Sequence, residues 1–373
     1  MSLVKGLARA REAAQNRDKR ALEMKEEGKS VIGYICCFAP PEIMHAAGVF
    51  PYRITGSPGD TTSEADSYLE PYGCPYVRNV FSQYLKGRMD FLDGLVISHS
   101  CDMVQRLYGV WTYYRPLPYS RLVNVPHQLF QHSQDFFQRE LAFFKKSLEE
   151  YCQKEISNDT LKESIRLFNR IRGLLRELYQ LRAEDEPRLL GSELLEVIIA
   201  GEVLPPEDFE ELLKETLEEV KNRAPFPAGK RVLVWGSILD HPAFYRLIEE
   251  AGGQVVADDT CLGMRFWYED VPVTGDPFQG LKDFYLINFM CPRTDRGTEL
   301  ERFRYLLDLA EEYRARGVIG YTISFCDPHK LDYPDLRDYF KEHGYPMLEI
   351  DDNYSLLSEG AVSTRIQAFL EML

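Results

Sequence analysis

The sequence predicts an α/β protein with two parallel-sheet domains of the Rossmann or flavodoxin type and a helical subdomain between them. Three observations support this fold class. Residues 31–131 alternate short apolar strands with helices, which is typical of a parallel sheet covered by helices on both faces. Residues 132–228 contain long stretches with a 3.6-residue hydrophobic period and many charged side chains. The alternation of strands and helices then resumes over residues 229–373.

Residues 1–30 form an N-terminal unit, in which residues 3–28 have the pattern of one amphipathic helix. The first α/β domain, residues 31–131, follows. Its first predicted helix starts after Pro40 and Pro41, because proline favours the first helical turn. We expect helices over residues 42–47, over 76–88 and from about residue 102. The predicted strands are residues 31–36, 50–55, 95–98 and 121–125.

The helical subdomain, residues 132–228, ends in the segment Ala-Pro-Phe-Pro-Ala-Gly at 224–229, which has the composition of a linker. The second α/β domain covers residues 229–373. Glycines close several of its helices, as is common at helix C-termini. The predicted helices are residues 241–251, 298–316, 334–343 and 358–372, and the predicted strands are residues 231–235, 254–257, 284–289, 318–325 and 347–350.

The charge of the chain excludes two classes of partner. Among 373 residues, 44 basic side chains stand against 59 acidic ones, a net charge of −15. Such a protein repels nucleic acid and anionic membrane surfaces. No apolar run reaches the roughly 20 residues of a membrane helix, and the charged N-terminus lacks a signal peptide's apolar core. We therefore expect a cytoplasmic protein, in which the eight cysteines do not form disulfides.

Six cysteines are candidate ligands of one metal centre. Five lie at or just after the end of a predicted strand, and Cys74 lies in a loop. Ligands of open parallel sheets bind outside the carboxyl ends of the strands, so these thiols are expected to meet in one cleft. Single, widely spaced cysteines are atypical of zinc sites and compatible with an iron–sulfur cluster. The six are Cys36, Cys74, Cys101, Cys261, Cys291 and Cys326.

The alternative is that some of these thiols are buried small apolar side chains, a common role of free cysteine. That interpretation is favoured for Cys152, which lies in a charged helical stretch. Cys37 directly follows Cys36, and neighbouring strand residues point to opposite faces. We therefore expect only one of these two to bind metal, and the sequence leaves open which one.

Six segments carry a resemblance to the 2-hydroxyacyl-CoA dehydratase and benzoyl-CoA reductase family: residues 33–48 (GYICCFAPPEIMHAAG), 74–78 (CPYVR), 100–102 (SCD), 258–265 (DDTCLGMR), 317–328 (GVIGYTISFCDP) and 364–373 (TRIQAFLEML). The resemblance implies an oxygen-sensitive, anaerobic iron–sulfur protein of two Rossmann-like domains and a helical one. It also implies a partner, a dimeric ATPase with its own [4Fe–4S] cluster that delivers single electrons. Family members are dimeric, so the resemblance implies a homodimer or a heterodimer with a homologous subunit.

Within that family, Cys74, Cys101 and Cys326 match the three positions that hold one [4Fe–4S] cluster in the dehydratases. The three further cysteines, Cys36, Cys261 and Cys291, make the chain similar to the double-cubane branch. There, two cubanes bridged by a sulfide form an [8Fe–9S] cluster, and each cubane takes three cysteines. This implies a reductase component that accepts low-potential electrons from the activator and reduces a small unsaturated substrate.

Two alternatives remain at this stage. One is a subunit of a 2-hydroxyacyl-CoA dehydratase lyase or a benzoyl-CoA-type reductase. Such a subunit has a single [4Fe–4S] cluster and acts on an acyl-CoA thioester through a ketyl radical. The other is a non-catalytic iron–sulfur protein that stores electrons. The sequence contains no recognisable CoA-binding motif, so the substrate stays open.

Six further side chains are candidates for the chemistry around the cluster. His99 lies two residues before Cys101 and His127 follows the fourth predicted strand, so either is a candidate proton donor. Glu42 is the third catalytic candidate, although a carboxylate at a helix N-terminus is also favoured by the helix dipole. Three arginines follow ligand candidates by four or five residues and are expected to stabilise a reduced cluster, namely Arg78, Arg106 and Arg265.

Overall fold

The fold is built on two four-stranded sheets. The computed structural model describes residues 5–298, 300–355 and 359–373. Its strands are β1 (Val31–Ile35), β2 (Phe50–Arg53), β3 (Gly94–Ser98), β4 (Tyr119–Val123), β5 (Lys230–Gly236), β6 (Gly253–Asp259), β7 (Gly317–Ile323) and β8 (Met347–Asp352). Every pairing is parallel, in the orders β2-β1-β3-β4 and β6-β5-β7-β8. Both sheets thus share the flavodoxin-like order, and the predicted fold class is confirmed.

Helices cover these sheets and connect them. They are α1 (Lys5–Gln15), α2 (Lys19–Glu26), α3 (Pro41–Ala46), α4 (Pro75–Leu85), α5 (Asp102–Tyr114), α6 (Gln131–Cys152), α7 (Asn158–Ala183), α8 (Gly191–Glu202), α9 (Pro206–Lys221), α10 (Ala243–Glu250), α11 (Pro277–Lys282), α12 (Leu300–Glu312), α13 (Asp327–Glu342) and α14 (Glu359–Met372). Strands β1, β3 and β7 are buried along their whole length, because helices cover both faces of each sheet.

Helices α6–α9 lie between the two sheets in sequence, as the periodicity of residues 132–222 predicts. Helix α1 packs against α8 and α9, whereas α2 packs against β1 and β2. The domain boundaries at residues 30, 131 and 228 stay a prediction. Within the described part of the chain, no helix combines the length and apolarity needed to cross a bilayer.

The N-terminal segment differs from the single helix expected over residues 3–28. It forms two helices, α1 and α2, that meet near Arg17. The Arg17 guanidinium donates hydrogen bonds to Thr55 Oγ1 at 2.6 Å and to the carbonyl of Gly56 at 3.2 Å. It also donates to the carbonyl of Asp240 in the second half. These tertiary contacts lie at the break between the two helices, and the hydrophobic period of the sequence does not indicate them.

The predicted strand over residues 284–289 is wrong. Residues Asp283–Asn288 form a π-helical turn that continues directly from α11. A short apolar run cannot be assigned from periodicity alone, and here the preceding helix decides its conformation. Helix α13 also differs in extent, because it begins at Asp327, ahead of the expected residue 334. The helix expected over residues 358–372 is described as Glu359–Met372, and residue 358 lies outside the described residues.

Candidate functional site

The carboxyl ends of both sheets border one cavity of about 460 Å³. All six candidate cysteines line it, together with Cys37. Cys36 follows β1 and Cys261 follows β6, whereas Cys101 and Cys326 lie just beyond β3 and β7. The structure therefore brings together thiols that are up to 290 residues apart in the chain.

Cys36 and Cys37 both line the cavity, so the expectation that only one of them binds metal stays a prediction. Strand β1 ends at Ile35, and Cys36 has a φ of 73°, in the left-handed region. The alternation of side chains along a strand therefore stops before this pair. The two Sγ atoms lie 3.7 Å apart. A left-handed non-glycine residue costs about 1–3 kcal/mol, and such strain is typical of functional sites.

Three of the thiols lie at helix N-termini. Cys74, Cys101 and Cys326 are the residues immediately before α4, α5 and α13. Pro75 and Pro328 occupy the first turn of two of these helices, where proline needs no hydrogen-bond partner. The N-terminus of a helix carries a partial positive charge that favours anions. Three helix ends therefore direct positive potential toward thiolates in this cavity.

Cys291 reaches the cavity by a route that the sequence does not reveal. It follows the π-helical turn, and not a strand as expected. Its amide donates a hydrogen bond to the carbonyl of Phe289 at 2.9 Å, and its carbonyl accepts one from Thr294 at 3.0 Å. This tight turn presents Cys291, only 5% exposed, to the cavity.

Burial dominates the acidity of three thiols. It raises the pKa of Cys74, Cys101 and Cys326 to about 12 each. The helix amides of Val77, Val104 and His329 act in the opposite direction, but they do not outweigh burial. Each of these cysteines also raises the pKa of another member, Cys101 that of Cys74, Cys326 that of Cys101 and Cys74 that of Cys326. We call these three, which share a position before a helix, the first group; Cys36 also raises the pKa of Cys101, and Cys291 that of Cys326, so the first group adjoins the remaining thiols.

The other thiols form a second group. Burial raises the pKa of Cys261 well above its usual value, and Cys291 and Cys36 raise it further. A hydrogen bond from the Cys37 thiol lowers the pKa of Cys36 to about 5. Burial raises the pKa of Cys291, but the hydrogen bond from the Cys37 thiol and the charge of Arg265 lower it to about 7. Cys36 and Cys291 of this group therefore adjoin Cys37.

Two buried arginines that the sequence analysis missed also line the cavity. The Arg293 guanidinium donates hydrogen bonds to the carbonyls of Ser100, Pro126, Val125 and His99, at 2.7 to 3.4 Å. It thereby ties the second half of the chain to the loops after β3 and β4. Arg53, the last residue of β2, donates to the carbonyl of Cys261 at 3.1 Å. Neither arginine follows a ligand candidate by four or five residues, the spacing that singles out Arg78, Arg106 and Arg265.

The three arginines that the sequence singled out have different positions. Arg106 lines the cavity at its exposed side and lies 3.4 Å from Glu70. Arg265 is fully buried in an ion pair with Asp259 at 2.6 Å and is not among the cavity-lining residues, although its charge acts on Cys261 and Cys291. Arg78 pairs with Asp66 and does not line the cavity either.

His329 is a further cavity residue that the sequence analysis missed. It lies in the first turn of α13, and its Nδ1 is 3.4 Å from Cys326 Sγ. Burial lowers the pKa of His329 well below its usual value, so the ring is neutral at pH 7. A neutral imidazole with its proton on Nδ1 donates an N–H···S bond to a thiolate. The spacing of three residues from Cys326 is the signal that would have identified it.

The three catalytic candidates do not line the cavity. The rings of His99 and His127 meet edge to face at 6.0 Å, and burial lowers the pKa of His99. Both residues are hydrogen-bonded to Arg293, which does line the cavity. Glu42 is fully buried, and its carboxylate accepts hydrogen bonds from Arg172 at 2.7 Å and Tyr285 at 2.9 Å. This arrangement joins α3 to α7, and the catalytic roles of the three residues stay predictions.

The donor set suits a polynuclear centre better than a single ion. Among residues 5–298, 300–355 and 359–373, no three His, Cys, Asp or Glu side chains are grouped to hold one metal ion. The thiols instead surround a space, and its wall contains apolar side chains such as Ile35, Val104 and Ile323. Cysteine sulfurs are the ligands of iron–sulfur clusters, and an apolar surround with cationic hydrogen-bond donors tunes them. The residues present therefore fit an iron–sulfur cluster.

Comparison with known proteins identifies the family. The sequence model of the 2-hydroxyglutaryl-CoA dehydratase D-component family matches residues 36–373. A benzoyl-CoA reductase subunit of Thauera aromatica is 31% identical over 87% of this chain and 85% of its own length. The beta subunit of lactoyl-CoA dehydratase of Anaerotignum propionicum is 28% identical over 98% of both chains. The beta subunit of (R)-2-hydroxyglutaryl-CoA dehydratase of Acidaminococcus fermentans is 26% identical over 94% of both. As its sequence motifs indicate, the chain is an enzyme subunit that belongs to the 2-hydroxyglutaryl-CoA dehydratase D-component family.

Proposed function

We propose that this chain is an iron–sulfur reductase component that holds a double-cubane [8Fe–9S] cluster. Low-potential electrons come from a dimeric, ATP-hydrolysing activator with its own [4Fe–4S] cluster, and the substrate is a small unsaturated molecule. The observation that carries the proposal is the convergence of six cysteines, three from each half of the chain, on one cavity. A single cubane needs fewer thiols than the cavity offers.

The two groups of thiols suggest how the ligands are shared. Cys74, Cys101 and Cys326 would hold one cubane, and Cys36, Cys261 and Cys291 the other. When bound, the cluster supplies low-potential electrons to the substrate. Cys37, buried beside the second group, would donate its S–H to the thiolates of Cys36 and Cys291. His329 would hold the Cys326 thiolate through its Nδ1 proton.

The surroundings of the thiols favour a negatively charged centre. The N-termini of α4, α5 and α13 and the guanidinium groups of Arg53 and Arg293 all act on the cavity. Helix ends are worth up to about 2 kcal/mol each toward a partly buried charge. Burial of the remaining lining keeps water from weakening these interactions. Protons for a reduced substrate come from solvent, and His99 and His127 remain candidate donors behind Arg293.

The mouth of the cavity is where a substrate would enter. Its wall includes the exposed side chains of Tyr72 and Phe325, with Glu70 and Arg106 beside them. Phe325 has a φ of 61°, so the backbone is strained next to Cys326 as well as at Cys36. Strain at both positions supports this edge of the sheets as the reactive one.

The test is turnover by the anaerobically purified protein with its activator and ATP. We expect ATP-dependent reduction of small unsaturated molecules that lack CoA, and no requirement for a second homologous subunit. The Cys152→Ser variant should turn over like the wild type, since Cys152 lies at the end of α6 and does not line the cavity. Absence of such turnover in a protein that contains its full iron would contradict the proposed reaction.

A second function is favoured by the relatives. The benzoyl-CoA reductase subunit and the beta subunits of two acyl-CoA dehydratases match most of the chain. On that basis the chain would instead be one subunit of a heterodimer that acts on an acyl-CoA thioester with one [4Fe–4S] cluster at Cys74, Cys101 and Cys326. In the same assay, turnover would then require both a CoA thioester and a homologous partner subunit.

A further inference from the structure

Arg53 is a buried cation whose hydrogen bonds are incomplete. Its side chain is 1% exposed, and it lines the cavity with Cys36, Cys37 and Cys261. Nη2 donates to the carbonyl of Cys261 at 3.1 Å. Nε and Nη1 are buried and have no hydrogen-bond partner among the described residues. An unsatisfied buried polar group costs about 1–3 kcal/mol, and more if it is charged, so a negative charge in the adjacent cavity would stabilise Arg53.

The other arginines of the cavity do not share this property. The Arg293 guanidinium is satisfied by four backbone carbonyls, and its buried nitrogens all have partners. Arg106 is exposed and faces Glu70. Among the described residues that line the cavity, Arg53 is therefore the guanidinium with unused buried donors.

The nearest anion to Arg53 is held back from it. Glu202 ends α8, is 5% exposed, and its Oε2 lies 3.7 Å from Arg53 Nη1, beyond hydrogen-bond distance. The same oxygen accepts a hydrogen bond from the Tyr34 hydroxyl at 3.2 Å. The rings of Tyr34 and Phe266 lie on the guanidinium, with centroids 5.6 and 5.5 Å away. Arg53 is thus fixed in position at the cavity wall, and its charge is only partly balanced.

We propose that the buried charge of Arg53, held at the cavity wall by the carbonyl of Cys261, stabilises the reduced form of the bound cluster, and that the Arg53–Glu202 pair thereby sets the cluster's reduction potential. This inference rests on the proposed function, since it requires a cluster in the cavity. An arginine cannot lose its proton at accessible pH, so its charge is always present. Reduction adds a negative charge beside Arg53, and the guanidinium stabilises the reduced form more than the oxidised form.

Glu202 acts with the opposite sign. Within the described parts of the chain, Arg53 is the cation at salt-bridge distance from its carboxyl group. Burial raises the pKa of Glu202, whereas Arg53 and the Tyr34 hydrogen bond lower it; when ionised, Glu202 offsets part of the charge of that arginine. Removing the arginine and removing the glutamate should therefore move the potential in opposite directions. A merely structural role of the pair would not produce this opposition, because loss of either partner would then disturb the same contact.

The test is an anaerobic redox titration, followed by electron paramagnetic resonance, of wild-type protein and single variants. We expect Arg53→Gln to lower the equilibrium constant for one-electron reduction about tenfold, which corresponds to about 59 mV. Arg53→Lys, which keeps the charge but loses the fork, should lower it less, and Glu202→Gln should raise it. Arg88→Gln is the net-charge control, since Arg88 is exposed, pairs with Asp60 and does not line the cavity.

Iron content is measured on every sample. If wild-type protein binds no iron, the proposed function fails. If iron is bound at wild-type level and the potentials of the Arg53 and Glu202 variants match that of Arg88→Gln, or shift in one common direction, only this inference is overturned. Should Arg53→Gln fail to fold, Arg53→Lys and Glu202→Gln still decide, because their expected shifts have opposite signs.

Discussion

Substitution of Cys261 by serine separates the two ways in which this cavity can hold iron. Cys261 belongs to the second group of thiols, and Cys291, Cys36 and Cys326 all raise its pKa. If two cubanes are bound, the change leaves one of them with two cysteines and leaves the other, at Cys74, Cys101 and Cys326, intact. Iron should fall from about eight to about four atoms per chain, because each cubane contains about four.

The assay is anaerobic quantification of iron and sulfide, with protein concentration from amino-acid analysis. Cys152→Ser serves as the control and should retain all iron, since Cys152 lies outside the cavity. Electron paramagnetic resonance of the Cys261→Ser protein should show an isolated [4Fe–4S] cluster. Unchanged iron in Cys261→Ser, with wild-type protein already at about four atoms per chain, would refute the six-ligand arrangement.

Three other outcomes follow from the structure. The free energy of unfolding of the iron-free protein in urea should fall above pH about 8.5, by up to about 1.4 kcal/mol per pH unit for each thiol of the first group. The reason is that these thiols keep a pKa of about 12 when folded but ionise at about 8.5 when unfolded. Iron-loaded protein, whose thiols are already deprotonated, should not show this loss. Glu42→Gln should lower the free energy of unfolding in urea by about 3–5 kcal/mol, because it breaks a fully buried ion pair with Arg172, and iron per folded chain should stay unchanged. Loss of iron without loss of stability would contradict a structural role of Glu42. Arg293→Lys should speed amide hydrogen exchange in the loops at residues 99–101 and 125–127, where the guanidinium binds the carbonyls of His99, Ser100, Val125 and Pro126. Unchanged exchange there would show that Arg293 does not hold these loops.

The sequence was sufficient to predict the fold class and the thiols that meet. Strand ends are visible as apolar runs, and in parallel sheets these ends share one edge, so Cys101, Cys261 and Cys326 could be placed by topology. The prediction for Cys291 reached the right cavity for the wrong reason. Its neighbours form a π-helical turn, which a six-residue apolar run does not distinguish from a strand.

Features that depend on tertiary contacts could not be predicted from the sequence. The left-handed backbone at Cys36 brings Cys37 into the cavity wall, and no residue pattern predicts that backbone conformation. Arg53 and Arg293 are held at the cavity by carbonyls that are distant from them in sequence. Arg53, at the end of a strand, donates to Cys261, and Arg293, in a loop, donates to residues of the loops after β3 and β4. The buried partner of Glu42 could not be predicted either, since Arg172 is 130 residues away in the chain.

The most direct measurement is an anomalous difference map at the iron absorption edge, from crystals grown without oxygen. We expect two adjacent groups of about four iron atoms within the cavity, one beside Cys74, Cys101 and Cys326, and the other beside Cys36, Cys261 and Cys291. Iron beside the first group only would contradict the two-cubane arrangement and indicate a single cubane. Iron outside this cavity would contradict the site itself.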